Sequence, residues 1–139
     1  MEPGYRILEH PADVGIESWG LTFPEALSMA VSGMVSVLID PATVDPVEQR
    51  IIEVSADDNE VLVVRVLSEI LFLFDGARFA PKSLHVQSYS EMSVRGFVSG
   101  EPLQPMKHEL RLDVKAVTYH QLSVTHLPEG ITIKVYLDI

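Results

Sequence analysis

Val114-Lys-Ala-Val-Thr-Tyr-His-Gln-Leu-Ser-Val124 and Ile131-Thr-Ile-Lys-Val-Tyr-Leu-Asp-Ile139 are the stretches whose reading decides the fold. In the second, every odd position is aliphatic: Ile131, Ile133, Val135, Leu137 and Ile139. The even positions are Thr132, Lys134, Tyr136 and Asp138. Period-two alternation of this kind marks a strand with one buried face. The first stretch alternates less cleanly. Its even positions, Val114, Ala116, Thr118, His120, Leu122 and Val124, form the more apolar face and carry Thr118 and His120 side by side. A link ending in Pro128-Glu-Gly130 joins the two, so they read as one hairpin placed centrally or nearly so in a sheet.

Working outward, two amphipathic stretches supply the helices. Thr22, with Glu25 three residues on, has capping-box spacing. Phe23, Ala26, Leu27, Ala30, Val31, Met34, Val35 and Leu38 follow at helical spacing, and Asp40-Pro41 ends the run. Met29 and Met34 read as core or rim positions. Asp57-Asp-Asn-Glu60 opens a second helix, where acidic side chains cap free amides and favour the positive end of the dipole. That helix is apolar over most of its surface, with Arg65 and Glu69 as exceptions, and Asp75-Gly76 closes it. A helix of this kind is expected beneath a sheet or between two layers. Further strands are expected at 5–10, at 47–55 and in a hairpin over 84–98 turning at Tyr89-Ser-Glu91. Residues 106–113, with His108, read as extended or helical. The fold class predicted is α+β. Two long helices near 23–38 and 58–74 pack on mainly antiparallel sheet in one domain spanning 1–139.

Composition restricts the chemistry. The chain has 139 residues, 47% of them hydrophobic, enough for a full core. It has no cysteine, which excludes disulfides, thiolate metal sites and a cysteine nucleophile. No signal-peptide pattern and no apolar run of about 18 residues occur, so the reading is a cytoplasmic protein with no membrane span. Twenty acidic residues against ten basic ones give a formal net charge of −10. Such a surface is unsuited to gripping nucleic acid directly and suits a basic protein partner or a metal ion. The sequence leaves the oligomeric state open.

Catalytic motifs are absent. No glycine-rich phosphate loop follows a strand, no Gly-x-Ser-x-Gly elbow occurs, and the histidines at 10, 85, 108, 120 and 126 show no helical metal spacing. His120 on an apolar face reads either as a hydrogen-bonded core histidine or as a functional one. Lys115 and Tyr119 read either as solvent-side residues or as contacts. Asp13, after Pro11, reads as a turn or cap carboxylate, with one alternative. If the N-terminal strand borders the C-terminal one, Asp13, Asp138 and the terminal carboxylate of Ile139 meet. Such a group calls for a hard cation.

These stretches together resemble the archease family. The resemblance rests on His10-Pro-Ala-Asp13-Val-Gly-Ile16, Gly20-Leu-Thr22 with Glu25-Ala26, Leu67-Ser-Glu69-Ile-Leu-Phe-Leu-Phe74, Gly100-Glu101, Lys115-Ala-Val-Thr-Tyr-His120 and Leu137-Asp138-Ile139. The hexapeptide and the Asp-Ile ending are its most specific parts. Thr is usual where Pro11 stands here, and the segment 75–81 departs from the acidic form common in the family. The resemblance implies a non-catalytic activator of an RtcB-type RNA ligase. It would promote guanylylation and repeated turnover of that ligase in transfer-RNA splicing and RNA repair. It also implies a divalent cation, calcium first, with magnesium or manganese as alternatives, held by Asp13, Asp138 and Ile139. Lys115, Tyr119 and His120 would support that edge or touch the partner. The competing reading is a small metal-dependent enzyme using Asp13, Asp138 and His120 on its own substrate.

Overall fold

The computed structural model describes residues 1–9 and 12–139. His10 and Pro11, from the first stretch behind the family resemblance, lie outside the described residues. In chain order the elements are β1 (Gly4–Glu9), β2 (Asp13–Gly20), α1 (Phe23–Leu38), a 3-10 turn (Pro41–Thr43), β3 (Glu48–Ser55), α2 (Asn59–Asp75), β4 (Phe79–Ser90), β5 (Ser93–Pro102), β6 (Ala116–Leu127) and β7 (Gly130–Asp138). They form an α+β fold of two antiparallel sheets. One is four-stranded in the order β1-β2-β7-β6, the other three-stranded in the order β3-β5-β4. Both helices touch both sheets: α1 packs on β1, β2, β7 and β4, and α2 on β6, β3 and β4. No helix among the described residues is long and apolar enough to cross a membrane.

The helices form where the spacing predicts. All eight apolar positions expected on α1 are buried. Thr22 is the N-cap: its Oγ1 accepts from the Glu25 N–H at 3.3 Å and its hydroxyl donates to Glu25 Oε2 at 3.2 Å. Thr22→Ala should therefore cost about 1 kcal/mol in a denaturant melt. Ser18 Oγ, fully buried, donates to Ala26 O at 2.8 Å and ties β2 to α1. Gly33 lets the two approach, since a Cβ there would stand 2.7 Å from Ile16 Cγ2. Asp58 caps α2 by accepting from the Val61 N–H at 2.8 Å. α2 buries Leu62, Val63, Val66, Leu67 and Ile70 between the layers, but Phe72 is 61% exposed. The apolar run of α2 is thus less enclosed than its composition predicts. Its exposed stripe is Arg65, Ser68, Glu69 and Phe72.

Four other features depart from expectation. Residues 13–20, where the sequence shows a turn or cap carboxylate at Asp13, form the strand β2. Its inward face is Val14, Ile16, Ser18 and Gly20, so a serine and a glycine dilute the alternation. The terminal hairpin is only half central: β7 is interior, flanked by β2 and β6, while β6 is an edge strand. The β4–β5 turn sits at Glu91-Met92 rather than at 89–91, with φ of 51° and 57° as a two-residue hairpin turn requires. Residues 103–115 carry no helix or strand, apart from an isolated bridge between Leu110 and Ile39.

Candidate functional site

The register between β2 and β7 puts Asp13 opposite Asp138, Val14 opposite Leu137 and Gly15 opposite Tyr136. Val14 and Leu137 are buried toward the helices, so Asp13 and Asp138 project from the other face of the sheet. On the far side of β7, Asp138 faces Ala116, whose methyl group leaves the aspartate uncrowded. The main-chain N–H of Lys115 donates to Asp138 O at 2.8 Å and holds the end of β7 in place. Asp13 is half-buried, Asp138 is exposed, and Ile139 is half-buried against the core. Cross-strand partners lie about 5 Å apart, and like charges so placed repel.

The donors at this edge are carboxylate and main-chain oxygens, the set a hard cation prefers. No group of three or more histidine, aspartate or glutamate side chains suited to a metal gathers among the described residues. Among the described residues, an ion here would be held by the two aspartates and main-chain oxygen. Neither aspartate lines any of the three surface cavities of about 530, 350 and 720 Å³.

Lys115, Tyr119 and His120 are all exposed. The even-face reading of 114–124 fails because β6 is bulged. Ala116–Thr118 pair with Asp138–Tyr136, and pairing resumes with Ser123 opposite Lys134. Residues 119–122 therefore stand against Val135 alone, with Gln121 at φ 52°. The side chains buried before the bulge are Val114 and Val117, so His120 is not a core histidine. Thr118 Oγ1 donates to Tyr136 O at 3.2 Å and accepts from the His120 N–H at 3.2 Å, which fixes the start of the bulge. The His120 ring stands edge-on to Tyr136, centroids 6.2 Å apart. Lys134 Nζ lies 5.7 Å from the Tyr136 centroid. Tyr136 in turn lies across Gly15, where a Cβ would come within 2.7 Å of its ring. The aspartates, Tyr136 and His120 thus occupy adjoining rows on one sheet.

A second polar cluster was not anticipated. Glu101, 4% exposed, accepts from the Asp45 N–H at 2.8 Å, from Lys107 Nζ at 2.9 Å and from His108 Nε2 at 2.9 Å. His108 Nδ1 accepts from the Gln104 N–H at 2.9 Å, so its ring proton sits on Nε2 and is donated to Glu101. Lys107 also pairs with Asp45 at 2.7 Å. The Asp45 amide, Lys107 and His108 together hold the Glu101 carboxyl down to about 2. Hydrogen bonds to Asp45 and Glu101 push the Lys107 ammonium above its ordinary value. The cluster fastens the 103–109 segment to the loop after α1. Glu101 and Lys107-His108 are close in sequence, but nothing local signals the partner 56 residues away at Asp45.

The archease protein family (MTH1598/TM1083) matches this chain over residues 5–139. The chain is 34% identical over 125 residues to protein archease of Thermococcus kodakarensis, covering 88% of each sequence. It is 32% identical over 139 residues to protein archease of Methanosarcina acetivorans, covering 97% of this chain and 95% of the other. The fish Danio rerio has a protein archease 34% identical over 138 residues, 97% of this chain and 85% of that one. Among solved structures, Methanobacterium thermoautotrophicum protein 1598 superposes with a TM-score of 0.81 at 27% identity, covering 98% and 99% of the two chains. A Thermotoga maritima protein described as an archease and possible chaperone shares the fold, with a TM-score of 0.66 at 20% identity over 96% of each chain.

Proposed function

The chain belongs to the archease family, and from that premise we propose that it is a cytoplasmic, non-catalytic protein cofactor of an RtcB-type RNA ligase. It promotes guanylylation of the ligase and its repeated turnover in transfer-RNA splicing or RNA repair. The observation that supports this most is the facing of Asp13 and Asp138 across β2 and β7, on a chain of net charge −10. Asp138 is exposed, which suits a protein acting on a partner's site better than a small metal-dependent enzyme that encloses its substrate. Asp13, Asp138 and a main-chain oxygen of Ile139 would hold a divalent cation: calcium, or magnesium or manganese in its place. Such an ion supplies positive charge beside phosphate oxygens. Asp13 and Asp138 would position that charge, and the β2–β7 ladder carries the acidic edge into the partner's positively charged cleft. Lys115 fixes the end of β7 through its main chain, and Tyr119 and His120 flank the edge where a partner approaches. Phosphoryl and nucleotidyl transfer respond strongly to positioning and charge neutralisation of this kind.

The direct test mixes the purified protein with its cognate ligase, GTP and a divalent ion and follows covalent guanylyl-ligase over time. Acceleration is expected, and it should weaken between about 0.1 M and about 1 M salt as exposed charges are screened. A wild-type protein that leaves the rate unchanged defeats the proposal.

A further inference from the structure

Around β6 from the aspartates runs a groove of about 720 Å³. Its walls are the edge strands of the two sheets, β3 and β6, and its floor is the exposed stripe of α2. Glu53 stands on one wall, Val117 and Tyr119 on the other, and Arg65, Glu69 and Phe72 between them. Phe72 is 61% exposed and Tyr119 59%. Each presents an aromatic ring to solvent at a position where the core gains nothing from it. We propose that this groove is the docking surface for the ligase, and that it takes an extended segment of that protein bearing an arginine or lysine. The proposal rests on the ligase reading above and adds to it the place and chemistry of contact.

The occupant follows from charge. A cation over the Phe72 and Tyr119 faces gains from their ring quadrupoles. Glu69, one turn from Phe72 on the same helix face, offers a carboxylate to the same cation, while Glu53 is paired with Arg95 at 3.3 Å. Arg65, the cation among these residues, donates from Nη1 to Ser55 O at 2.7 Å and is tied to the β3 wall. A second copy of this chain would bring net charge −10 against −10, and a phosphate backbone would be repelled likewise. The groove and the aspartates lie on opposite faces of the four-stranded sheet, with its edge strand β6 between them. Tyr119 is three residues from Ala116, roughly 10 Å along the strand, and Ala116 faces Asp138. A partner seated in the groove reaches Asp13 and Asp138 by passing around β6. The groove holds, and the edge acts.

The test uses the full-length protein and its purified ligase. Phe72→Ser with Tyr119→Ser, Glu69→Lys, and Val47→Ser as a control at an exposed site outside the groove are compared with wild type. Ligase affinity is measured by calorimetry, and guanylylation is followed against activator concentration. The double variant should melt like wild type and bind about tenfold more weakly or worse, as loss of aromatic anchors does. Its half-saturating concentration should rise by the same factor, with the maximal rate reached at saturation unchanged. Glu69→Lys should bind more weakly and lose part of the salt dependence, and Val47→Ser should behave as wild type. Unchanged affinity in both groove variants, beside a wild type that binds and accelerates, overturns the groove and leaves the ligase role standing. A lowered maximal rate with unchanged half-saturation also overturns it, because the side chains would then act beyond docking. A dimer in sedimentation that the double variant dissolves assigns the groove to a second copy instead. A wild type that neither binds nor accelerates removes both readings.

Discussion

Asp13→Ala combined with Asp138→Ala should abolish divalent-ion binding and remove at least about tenfold of the acceleration of ligase guanylylation. Even residues that only orient metal ligands cost about 10–100-fold when lost, and direct ligands should cost no less. The two side chains sit opposite one another across β2 and β7, so neither can substitute for the other. The effect separates from folding in a thermal melt. Ion-free melts of the two proteins give the baseline against which the ion's effect is read. Wild type should gain about 2.7 kcal/mol when calcium is added at about a hundred times its dissociation constant. The double variant should gain nothing. Unchanged ion affinity would remove these residues as ligands. Full acceleration by the double variant would leave the role intact and dismiss the mechanism.

Glu101→Gln should give the largest loss of stability of any single polar substitution, a fall in melting temperature on the order of 10 °C. The carboxylate takes hydrogen bonds from Asp45, Lys107 and His108, and an amide offers one acceptor oxygen in place of two. Its NH₂ would point donors at donors, leaving buried groups unpaired. The pH dependence carries a definite sign. The folded value of about 2 lies below the ordinary 4.5, so the charged form is favoured by folding. That stabilisation is fully present above about 4.5 and is lost as pH falls toward about 2. The melting gap between wild type and Glu101→Gln should therefore be full near about pH 7 and narrower near about pH 3. A gap of the same size at both values would show that the carboxylate's charge is not what holds the two loops together.

The sequence by itself determined the helices and the family. Caps act within three residues, as Thr22 with Glu25 and Asp58 with Val61, and an amphipathic face recurs every turn, so local order suffices to read them. The aliphatic positions of β7 are legible for the same reason: each inward residue meets the helices and each outward one does not. The aspartates could be named as candidates, but only the packing of β2 beside β7 sets them in register. That pairing joins residues more than a hundred positions apart. β2 itself was hidden because Ser18 and Gly20 serve its inward face, the serine satisfied by a helix carbonyl and the glycine by close approach to α1. The bulge in β6 was hidden because periodicity assumes an unbroken ladder, and Gln121 breaks it with a left-handed backbone. Phe72 looks like core in the sequence and is not, because two sheets and two helices leave one stripe of α2 uncovered. Side-chain pattern records which residues prefer burial; which surfaces are finally covered depends on how distant segments pack, and that is decided only in the tertiary structure.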